Sequence, residues 1–351
     1  MTDISARKSE HLTIVGEGRG RQDGTTTGFD AIRFAHVALP ELDFDAIDTG
    51  TTVLGRQIAA PLMVSAMTGG PAEAGAINAR IAEACEELGL PLAVGSQRIA
   101  IEGRGDAGLS GLRARAGTVP ILGNLGAVQL NTGFGLDEAR RAVDMIEADA
   151  LILHLNPLQE AIQPGGDRNF AGILDRITAL AEALPVPLGV KEVGAGLSAE
   201  VGSRLLDADV TILDVAGVGG TSWARVEAAR GGPALHDLAA PFFDWGIPTA
   251  RAVADLASLV PDNRVLVASG GVRHGLDVAR AIRLGAHLAG QAAGALPSAR
   301  DSTEALAAHL QTVIGQLRIA MFCTGSADLA ALRRAALLDP PPWLASAPKS
   351  A

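Results

Sequence analysis

The feature that most constrains this fold is a pattern that repeats eight times after about residue 60. In each repeat a short apolar run ends in small or polar residues, and an amphipathic segment follows it. Such runs favour buried strands, and the segments after them fit helices. Alternating strands and helices predict a parallel sheet, and eight units can close into a (β/α)8 TIM barrel. The runs span 61–70, 91–98, 119–127, 150–157, 186–194, 209–217, 264–272 and 286–294.

The segments between the runs carry signals for helix ends. Residues 73–88 are apolar on one face, and Gly89 can supply a left-handed C-cap. Ser198 fits the N-cap of a helix over 199–207. The alternative α/β fold is an open, doubly wound sheet, but no GxGxxG follows an early strand. The pattern therefore favours the closed barrel.

The chain divides into three regions by pattern. Residues 1–60 precede the repeats and predict an N-terminal extension packed on the barrel. Residues 61–335 form the barrel, and the proline-containing residues 336–351 form a C-terminal tail. The longest connection, 219–248, follows strand six and contains Trp223 and Trp245. Long loops after barrel strands often act as lids.

Charge, cysteine content and hydropathy exclude several classes of protein. The formal net charge of −10 argues against a nucleic-acid-binding surface. The two cysteines, Cys85 and Cys323, form no CxxC, which favours a reduced, cytoplasmic setting. The uncharged run 116–136 contains Pro120 and several polar residues, so we interpret it as a buried strand and loop. We expect a soluble protein without a membrane segment.

Glycine-rich segments follow the last two strands, at 269–275 and 290–295. Barrels often bind phosphate there through backbone N–H groups, which glycine lets approach a ligand closely. Either segment alone would fit an ordinary tight turn. Together, after strands seven and eight, they predict a phosphate site at the C-terminal face of the barrel.

Polar residues at other strand ends suit a flat ring with polar edges. They are the segment 65–70, Ser96, Asn124, Lys191 and Thr221. A flavin needs hydrogen-bonding groups along its pyrimidine edge and positive charge near N1. Lys191 could supply that charge, although a salt bridge with Glu192 would explain it equally well in isolation.

A third set of residues suits a diphosphate and its metal ion. Basic groups occur at Arg7, Lys8, His11 and Arg98, and Arg matches phosphate oxygens through its fork. The stretch HLNPLQE ends in one carboxylate, Glu160. One carboxylate suffices for magnesium when substrate phosphates complete its coordination. A solvated basic run and a helix-start glutamate are the alternatives.

These motifs resemble the type 2 isopentenyl-diphosphate isomerases, an FMN-dependent barrel family. The resemblance runs from about residue 6 to 325. Several motifs are longer than generic barrel turns. They are RKSEH, GFDAIRFAHVALPE, SAMTGG, GSQR, GNLGA, HLNPLQE with QPGGDRNF, VKEVG, AGVGGTSW and SGGVRHG.

The resemblance implies a reaction, its cofactors and a set of site residues. It implies interconversion of isopentenyl and dimethylallyl diphosphate with reduced FMN, Mg2+ and NADPH as reductant, in a homotetramer or homo-octamer. It places the substrate on Arg7, Lys8, His11, Ser96, Arg98 and Gln159, and magnesium on Glu160. It places FMN among Ala66, Met67, Thr68, Ser96, Asn124, Lys191, Thr221, Gly271, Val272, Arg273, Ala292 and Ala293. His154, Asn156, Trp223 and Glu227 would line the substrate side.

Two stretches depart from the family pattern. Ala216 stands where some members carry Ser, which would remove one contact to FMN. The segment 290–295 after strand eight matches imperfectly, so the contacts of Ala292 and Ala293 would rest on backbone donors.

The chemistry expected of this set assigns the proton transfers to the flavin. Gln159 cannot titrate near neutral pH, which makes it a poor general acid. Reduced FMN can carry and exchange a proton beside the alkene, while Trp223 could stabilise a cationic transition state through its π face. His154 is expected to position the substrate rather than titrate.

Three other functions remain as alternatives. An FMN-dependent oxidoreductase of the 2-hydroxy-acid oxidase type needs a histidine after strand six, and VAGVGGTSW contains none. A thiol-dependent nucleotide dehydrogenase needs a cysteine in that loop, whereas Cys85 and Cys323 fall in helical segments. A non-catalytic phosphate-binding barrel would leave Lys191 and Glu160 unexplained.

Overall fold

The chain folds into a closed barrel of eight parallel strands. The computed structural model describes residues 4–67, 72–106 and 108–345. Each strand pairs with the strands before and after it in the chain, and the eighth pairs with the first. The (β/α)8 prediction is therefore confirmed. In chain order the strands are Leu62–Val64, Leu92–Ala93, Ile121–Gly126, Ala150–His154, Leu188–Lys191, Ile212–Asp214, Val265–Ser269 and Leu288–Gln291.

Helices connect the strands and surround the barrel, as the repeat predicts. No described helix combines the length and apolar character that crossing a bilayer requires. The α-helices are Ile4–Gly16, Ala72–Leu88, Arg98–Ile101, Leu112–Arg115, Leu136–Ile146, Pro157–Ile162, Ile173–Ala183, Ala199–Asp207, Trp223–Arg230, Pro233–Ala239, Thr249–Ala257, Gly275–Arg283, Leu296–Asp301, Thr303–Cys323, Leu329–Arg334 and Pro342–Ala345. Short 3-10 helices span Phe29–Ala31, Phe44–Ala46, Ala127–Asn131 and Ala240–Phe242.

Both predicted helix caps form. The Ser198 hydroxyl accepts a hydrogen bond from the Val201 amide at 3.2 Å, which satisfies one free donor at the helix start. Gly89 follows the helix Ala72–Leu88 with φ of 64°, the left-handed conformation in which glycine avoids a steric penalty.

Apolar side chains fill two regions on either side of the strands. A large cluster lies between the barrel and its helices. A smaller cluster fills the barrel interior with Met63, Leu122, Ile152 and Val267, among others. The pleat directs alternate residues of a strand to opposite faces, which explains why both faces of these strands are apolar.

A hairpin from the N-terminal region closes the lower end of the barrel. Strands Thr51–Val53 and Arg56–Ile58 pair antiparallel, and their buried side chains join the interior cluster. Arg56 donates to Asp149 at 2.8 Å and to the Thr118 carbonyl at 3.0 Å. Both partners lie just before barrel strands, so the hairpin sits at the N-terminal ends of the strands.

Segments near the two ends of the chain pair with each other and pack on the barrel. Strand Arg33–Phe34 pairs antiparallel with Leu337–Leu338, and Trp343 packs against the large cluster. The division at residue 335 stays a prediction, and residues 346–351 lie outside the described part of the chain.

The connection after strand six is folded rather than open. It carries the helices Trp223–Arg230 and Pro233–Ala239, which pack on Ile162 through Ala224, Ala228 and Ala239. Trp223 begins the first of these helices, whereas Trp245 is 61% exposed.

Candidate active site

A cavity of about 520 Å³ opens at the C-terminal ends of the barrel strands. All eight strands, or the residues just after them, contribute to its wall. The helix Ile4–Gly16 also lines it, so the N-terminal region reaches both ends of the barrel. In strand order the wall includes Ser65, Ser96, Asn124, His154, Lys191, Asp214, Ser269 and Gly290.

The cavity brings together most residues that the sequence assigns to the site. Thr68 lies outside the described residues. Glu227 is fully buried behind the wall rather than in it. The lining residues among those assigned are Arg7, Lys8, His11, Ala66, Met67, Ser96, Arg98, Asn124, His154, Asn156, Gln159, Glu160, Lys191, Thr221, Trp223, Gly271, Val272, Arg273, Ala292 and Ala293.

Glu160 is a buried carboxylate on the helix that follows strand four. Its Oε1 accepts from the Asn156 amide at 2.9 Å, and its Oε2 accepts from the Asp167 N–H at 2.7 Å. The side-chain oxygen of Asn156 is buried without a donor and lies in the same wall. This orphan acceptor beside a carboxylate fits a hydrated divalent cation.

No cage of protein ligands surrounds that position. Within the described ranges no three His, Cys, Asp or Glu side chains come together as a metal site. The donor set therefore suits magnesium shared with a phosphate ligand better than a closed zinc site.

Arg98 is held on the rim by two acidic residues. Its Nε donates to Glu102 at 2.8 Å and its Nη1 to Asp167 at 3.0 Å. Burial would lower the pKa of Arg98, but the hydrogen bonds to Glu102 and Asp167 raise it, so the guanidinium stays charged.

Lys8 and Arg7 bring further positive charge from the N-terminal helix. The Lys8 ammonium donates to the Ser96 carbonyl at 3.3 Å. Burial, with the positive charges of Arg7 and Arg98, lowers the pKa of Lys8 to about 8. Burial also lowers the pKa of Arg7, against the attraction of Glu227 and Glu160. Cations crowded in this way favour an anion between them.

Glu227 organises the wall from behind. Its Oε1 lies 3.0 Å from His11 Nε2 and accepts from Gln159 at 3.0 Å. Its Oε2 accepts from Arg230 at 2.6 Å. Burial would raise the pKa of Glu227, but the adjacent His11 ring and the hydrogen bond from Gln159 hold it below its usual range. The ionised carboxylate thus fixes side chains from three helices.

Trp223 and Gln159 are fixed by this arrangement. The Trp223 ring packs edge-on against His11 with centroids 5.0 Å apart. The Gln159 oxygen accepts from Asn156 at 3.0 Å while its nitrogen donates to Glu227. Both ends of the amide are therefore engaged.

His154 is neutral at the end of strand four. Its Nδ1 lies 2.8 Å from the Asn124 oxygen, and the Asn124 nitrogen donates to the Val94 carbonyl at 3.1 Å. Burial, with the positive charges of Lys191 and Lys8, lowers the pKa of His154 to about 3. This agrees with a positioning group.

Lys191 forms no salt bridge with Glu192. Its ammonium donates to the Glu192 carbonyl at 2.7 Å. The Glu192 carboxylate instead accepts from the amides of Val193, Gly194 and Ala195 at 2.5 to 2.7 Å. The Lys191 ammonium therefore lies in the cavity wall; burial lowers its pKa, and its protonated form would fit an anionic, reduced flavin edge.

The glycine segment after strand seven packs against the loop after strand six. Gly270 and Gly271 have φ of 100° and 74°. A Cβ on either would overlap the backbone of Gly217 or Gly219. Arg273 donates to the Gly219 carbonyl at 2.9 Å. Backbone from two loops thus meets at the cavity edge, where a phosphate can be held by N–H groups.

Several polar wall residues have no individual role predicted from sequence. The oxygen of Gln129 and the hydroxyl of Ser65 are buried in the wall without partners. The Gln163 side-chain oxygen accepts from Arg7 at 2.8 Å, and its side-chain nitrogen donates to Glu227 at 3.2 Å. Ser65 belongs to the segment 65–70 that the sequence already assigned to the flavin, whereas Asp214 ends strand six, where the strand-end rule could have found it.

Comparisons with known proteins place this site in context. The family model described as FMN-dependent dehydrogenase matches residues 157–339. A protein of Stutzerimonas stutzeri named isopentenyl-diphosphate delta-isomerase is 57% identical, over 96% of this chain and 97% of its own. The protein of that name from Xanthobacter autotrophicus is 56% identical, over 94% and 96%. That from a Nostoc species is 46% identical, over 95% of each chain.

Solved structures share the fold at low identity. A lactate oxidase from Pediococcus acidilactici, marked putative, is 18% identical with a TM-score of 0.64, over 97% of this chain and 95% of its own. A mandelate oxidase bound to 2-hydroxy-phenylacetamide is 17% identical with a TM-score of 0.63, over 96% and 98%. At this identity the likeness concerns the barrel alone.

Proposed function

This chain belongs to the FMN-dependent, type 2 isopentenyl-diphosphate delta-isomerase family, and we propose that its cavity moves a double bond with reduced FMN and Mg2+. The substrates are isopentenyl and dimethylallyl diphosphate, and NADPH supplies the reducing electrons. One observation carries the proposal: a buried carboxylate, Glu160, shares a cavity with the cations Lys8 and Arg98 and with Lys191. One cavity thus contains groups suited to bind a diphosphate, a metal ion and a flavin.

The rim binds the diphosphate and its metal. Arg7, Lys8 and Arg98 supply donors of opposite charge to the phosphate oxygens. Glu160 would contribute one carboxylate to Mg2+, and the diphosphate and water would complete its coordination. The unpaired Asn156 oxygen can accept from a water on the metal. These residues anchor one end of the substrate.

The middle of the cavity orients the alkene. Gln159 is held between Asn156 and Glu227, so it presents a fixed amide rather than a mobile acid. Trp223 and Met67 give apolar surface in the same wall. The Trp223 face can stabilise positive charge that develops on the alkene carbon.

Protein acids near the alkene are unsuited to proton transfer at neutral pH. His154 is neutral because its pKa is about 3, and Glu227 is ionised because its pKa is lowered. Gln159 does not titrate. Reduced FMN, when bound, supplies a site that can give a proton to one carbon and take one from another.

The flavin position is supported by the strand ends. Lys191 offers positive charge to the pyrimidine edge, and Asn124 and Thr221 offer hydrogen bonds beside it. The loop Gly271–Arg273 and the segment at Ala292 and Ala293 would hold the phosphate group of FMN. Ala216 lies in the wall with φ of 36° and offers no side-chain hydrogen bond.

The loop after strand six favours isomerisation over 2-hydroxy-acid oxidation. Residues 215–223 contain no histidine that could abstract a substrate proton. The oxidase structures resemble this chain in fold only.

The proposed enzyme is a cytoplasmic homo-oligomer. The apolar side chains of Leu238 and Trp245 are exposed on the insertion after strand six, which supports a subunit interface there. Light scattering of the purified protein would distinguish a tetramer from an octamer.

The test supplies isopentenyl diphosphate, Mg2+ and FMN, with dithionite, with NADPH or with neither. We expect dimethylallyl diphosphate only with a reductant, and far more product than NADPH consumed, because the isomerisation has no net oxidation. Absence of product with reduced FMN would overturn the isomerase proposal. Stoichiometric NADPH consumption would indicate an oxidoreductase.

A further inference from the structure

A buried carboxylate without an assigned role lies beside Lys191. Asp214 ends the sixth barrel strand and is the register partner of Lys191, which ends the fifth. It is 5% exposed, and both residues line the cavity. The carboxylate therefore belongs to the floor of the site rather than to the protein surface.

Neighbouring donors hold this carboxylate in place. The Ser269 hydroxyl, from the end of strand seven, donates to Asp214 Oδ1 at 2.6 Å. The Ala216 amide donates to the same oxygen at 3.3 Å. Burial raises the pKa of Asp214, whereas the positive charge of Lys191 and the hydrogen bonds from Ser269 and Ala216 favour its ionised form. Three adjacent strand ends thus present an ammonium, a carboxylate and a hydroxyl in sequence.

The surroundings of Lys191 make a compensating anion necessary. Burial lowers the pKa of Lys191, whereas the negative charges of Asp214 and Glu192 oppose that effect. The Glu192 carboxylate is turned to three backbone amides. His154, the register partner on strand four, is neutral. Asp214 is the remaining facing acid, and it acts on Lys191 through its charge rather than through a salt bridge.

We propose that Asp214 keeps Lys191 protonated at the flavin edge through its charge, with Ser269 fixing the carboxylate. The inference rests on the proposed role of Lys191 against reduced FMN. Asp214 acts through Lys191, so its removal changes the pH range in which reduced FMN is preferred. A purely structural carboxylate would change stability and leave that range unmoved.

The experiment compares FMN affinities of Asp214→Asn, Ser269→Ala and Lys191→Met with the unaltered protein. Oxidised and dithionite-reduced FMN are titrated anaerobically from neutral to alkaline pH. Asn keeps the shape of Asp214 and can still accept from Ser269. Asp209→Asn is the matched control, because this exposed aspartate precedes the same strand at its other end.

We expect the unaltered protein to prefer reduced FMN until an alkaline break where Lys191 loses its proton. In Asp214→Asn the preference should persist at low pH and break about one pH unit or more earlier. Ser269→Ala should shift the break in the same direction by less. Lys191→Met should lack the preference and the break, and Asp209→Asn should keep both.

The outcomes separate this inference from the proposed function. A break in Asp214→Asn at its original pH overturns the role of Asp214 while leaving the isomerase proposal intact. Loss of the preference at every pH in Asp214→Asn also overturns it, since Lys191 would then be disordered rather than deprotonated. If Asp214→Asn does not fold, an unmoved break in Ser269→Ala overturns it. Absence of any preference in the unaltered protein contradicts the role of Lys191 itself.

Discussion

At the scale of residues, Lys8 is a cavity cation that changes its charge close to physiological pH. Its pKa is about 8 because it is buried near Arg7 and Arg98. Each neighbouring charge disfavours the ammonium until an anion arrives between them. Substrate binding and the protonation of Lys8 are therefore linked.

We predict that the affinity for the diphosphate falls as pH rises above about 8, because the free protein then loses the Lys8 proton. The pH dependence of kcat/KM for isopentenyl diphosphate measures this. Lys8→Arg keeps its charge, so its alkaline limb should move to higher pH. Identical limbs in both proteins would remove Lys8 from this role.

Glu160→Gln should weaken Mg2+ binding. The amide keeps the size of the side chain but removes the negative charge, so we expect the Mg2+ concentration for half-maximal activity to rise about tenfold or more. Initial rates across a magnesium series measure it. Glu182→Gln, at an exposed position on the helix Ile173–Ala183, is the control and should leave the series unchanged. An unaltered series in Glu160→Gln would contradict the assignment.

Residue chemistry predicted which side chains line the cavity better than it predicted the contacts between them. Lys191 and Asn124 were found because side chains at strand ends meet at one face of a barrel. The partner of Lys191 could not be chosen from sequence, since adjacency favoured Glu192, whose carboxylate turns to its own loop. Gln163 was missed because a neutral amide after a short helix resembles any solvated residue.

At the scale of elements, the segment after the helix Pro157–Ile162 links the proposed metal ligand Glu160 to Arg98, the proposed diphosphate ligand. The Asp167 amide donates to Glu160 while its carboxylate pairs with Arg98. Gly166 lies so close to Glu160 that a Cβ would overlap its carbonyl oxygen and reach 2.9 Å from Oε2. The turn therefore sets where the carboxylate points.

Gly166→Ala and Gly165→Ala form a matched pair. Gly166→Ala should displace Glu160 and raise the Mg2+ requirement, because the added methyl group occupies that contact. Gly165 has φ of 71° with open space around it, so Gly165→Ala should cost about 1 kcal/mol of backbone strain and leave magnesium binding intact. Thermal unfolding and a magnesium series measure both effects. An equal magnesium response in the two variants would contradict this role of Gly166.

Element prediction succeeded where the pattern was long. The helix Ala72–Leu88 and the helix Ala199–Asp207 match the predicted ranges within a residue, because caps and apolar periodicity agree. The second strand is only Leu92–Ala93, although its apolar run is longer. Residues beyond it leave the ladder to line the cavity, a tertiary effect that local sequence does not encode.

At the scale of the whole molecule, the hairpin that closes the barrel and the cavity that forms the candidate site lie at opposite ends of the barrel. The hairpin 51–58 closes the lower end, and the cavity opens at the upper end. The closed barrel followed from the eightfold repeat alone. The position of the N-terminal helix at the cavity did not follow from the repeat, because its polar, weakly amphipathic sequence does not indicate where it packs on the barrel.

Ile58→Ala should destabilise the protein without altering the site. Ile58 is 3% exposed and packs in the barrel interior, so we expect a loss of about 2–4 kcal/mol in unfolding free energy. Gln57→Ala, at an exposed position of the same strand, should change stability by less than about 0.5 kcal/mol. Thermal unfolding measures both, and the KM for isopentenyl diphosphate should stay constant. A changed KM in Ile58→Ala would show that the two ends are coupled.

The packing of the first helix on distant parts of the chain also determines when the cavity can form during synthesis. Lys8 reaches the carbonyl of Ser96, 88 residues later, and Glu10 reaches Arg230, 220 residues later. A ribosome releases the basic helix first and the surface that receives it much later. The nascent chain thus carries Lys8 and Arg7 for most of translation without a cavity, and the cavity is completed only after the eighth strand has emerged.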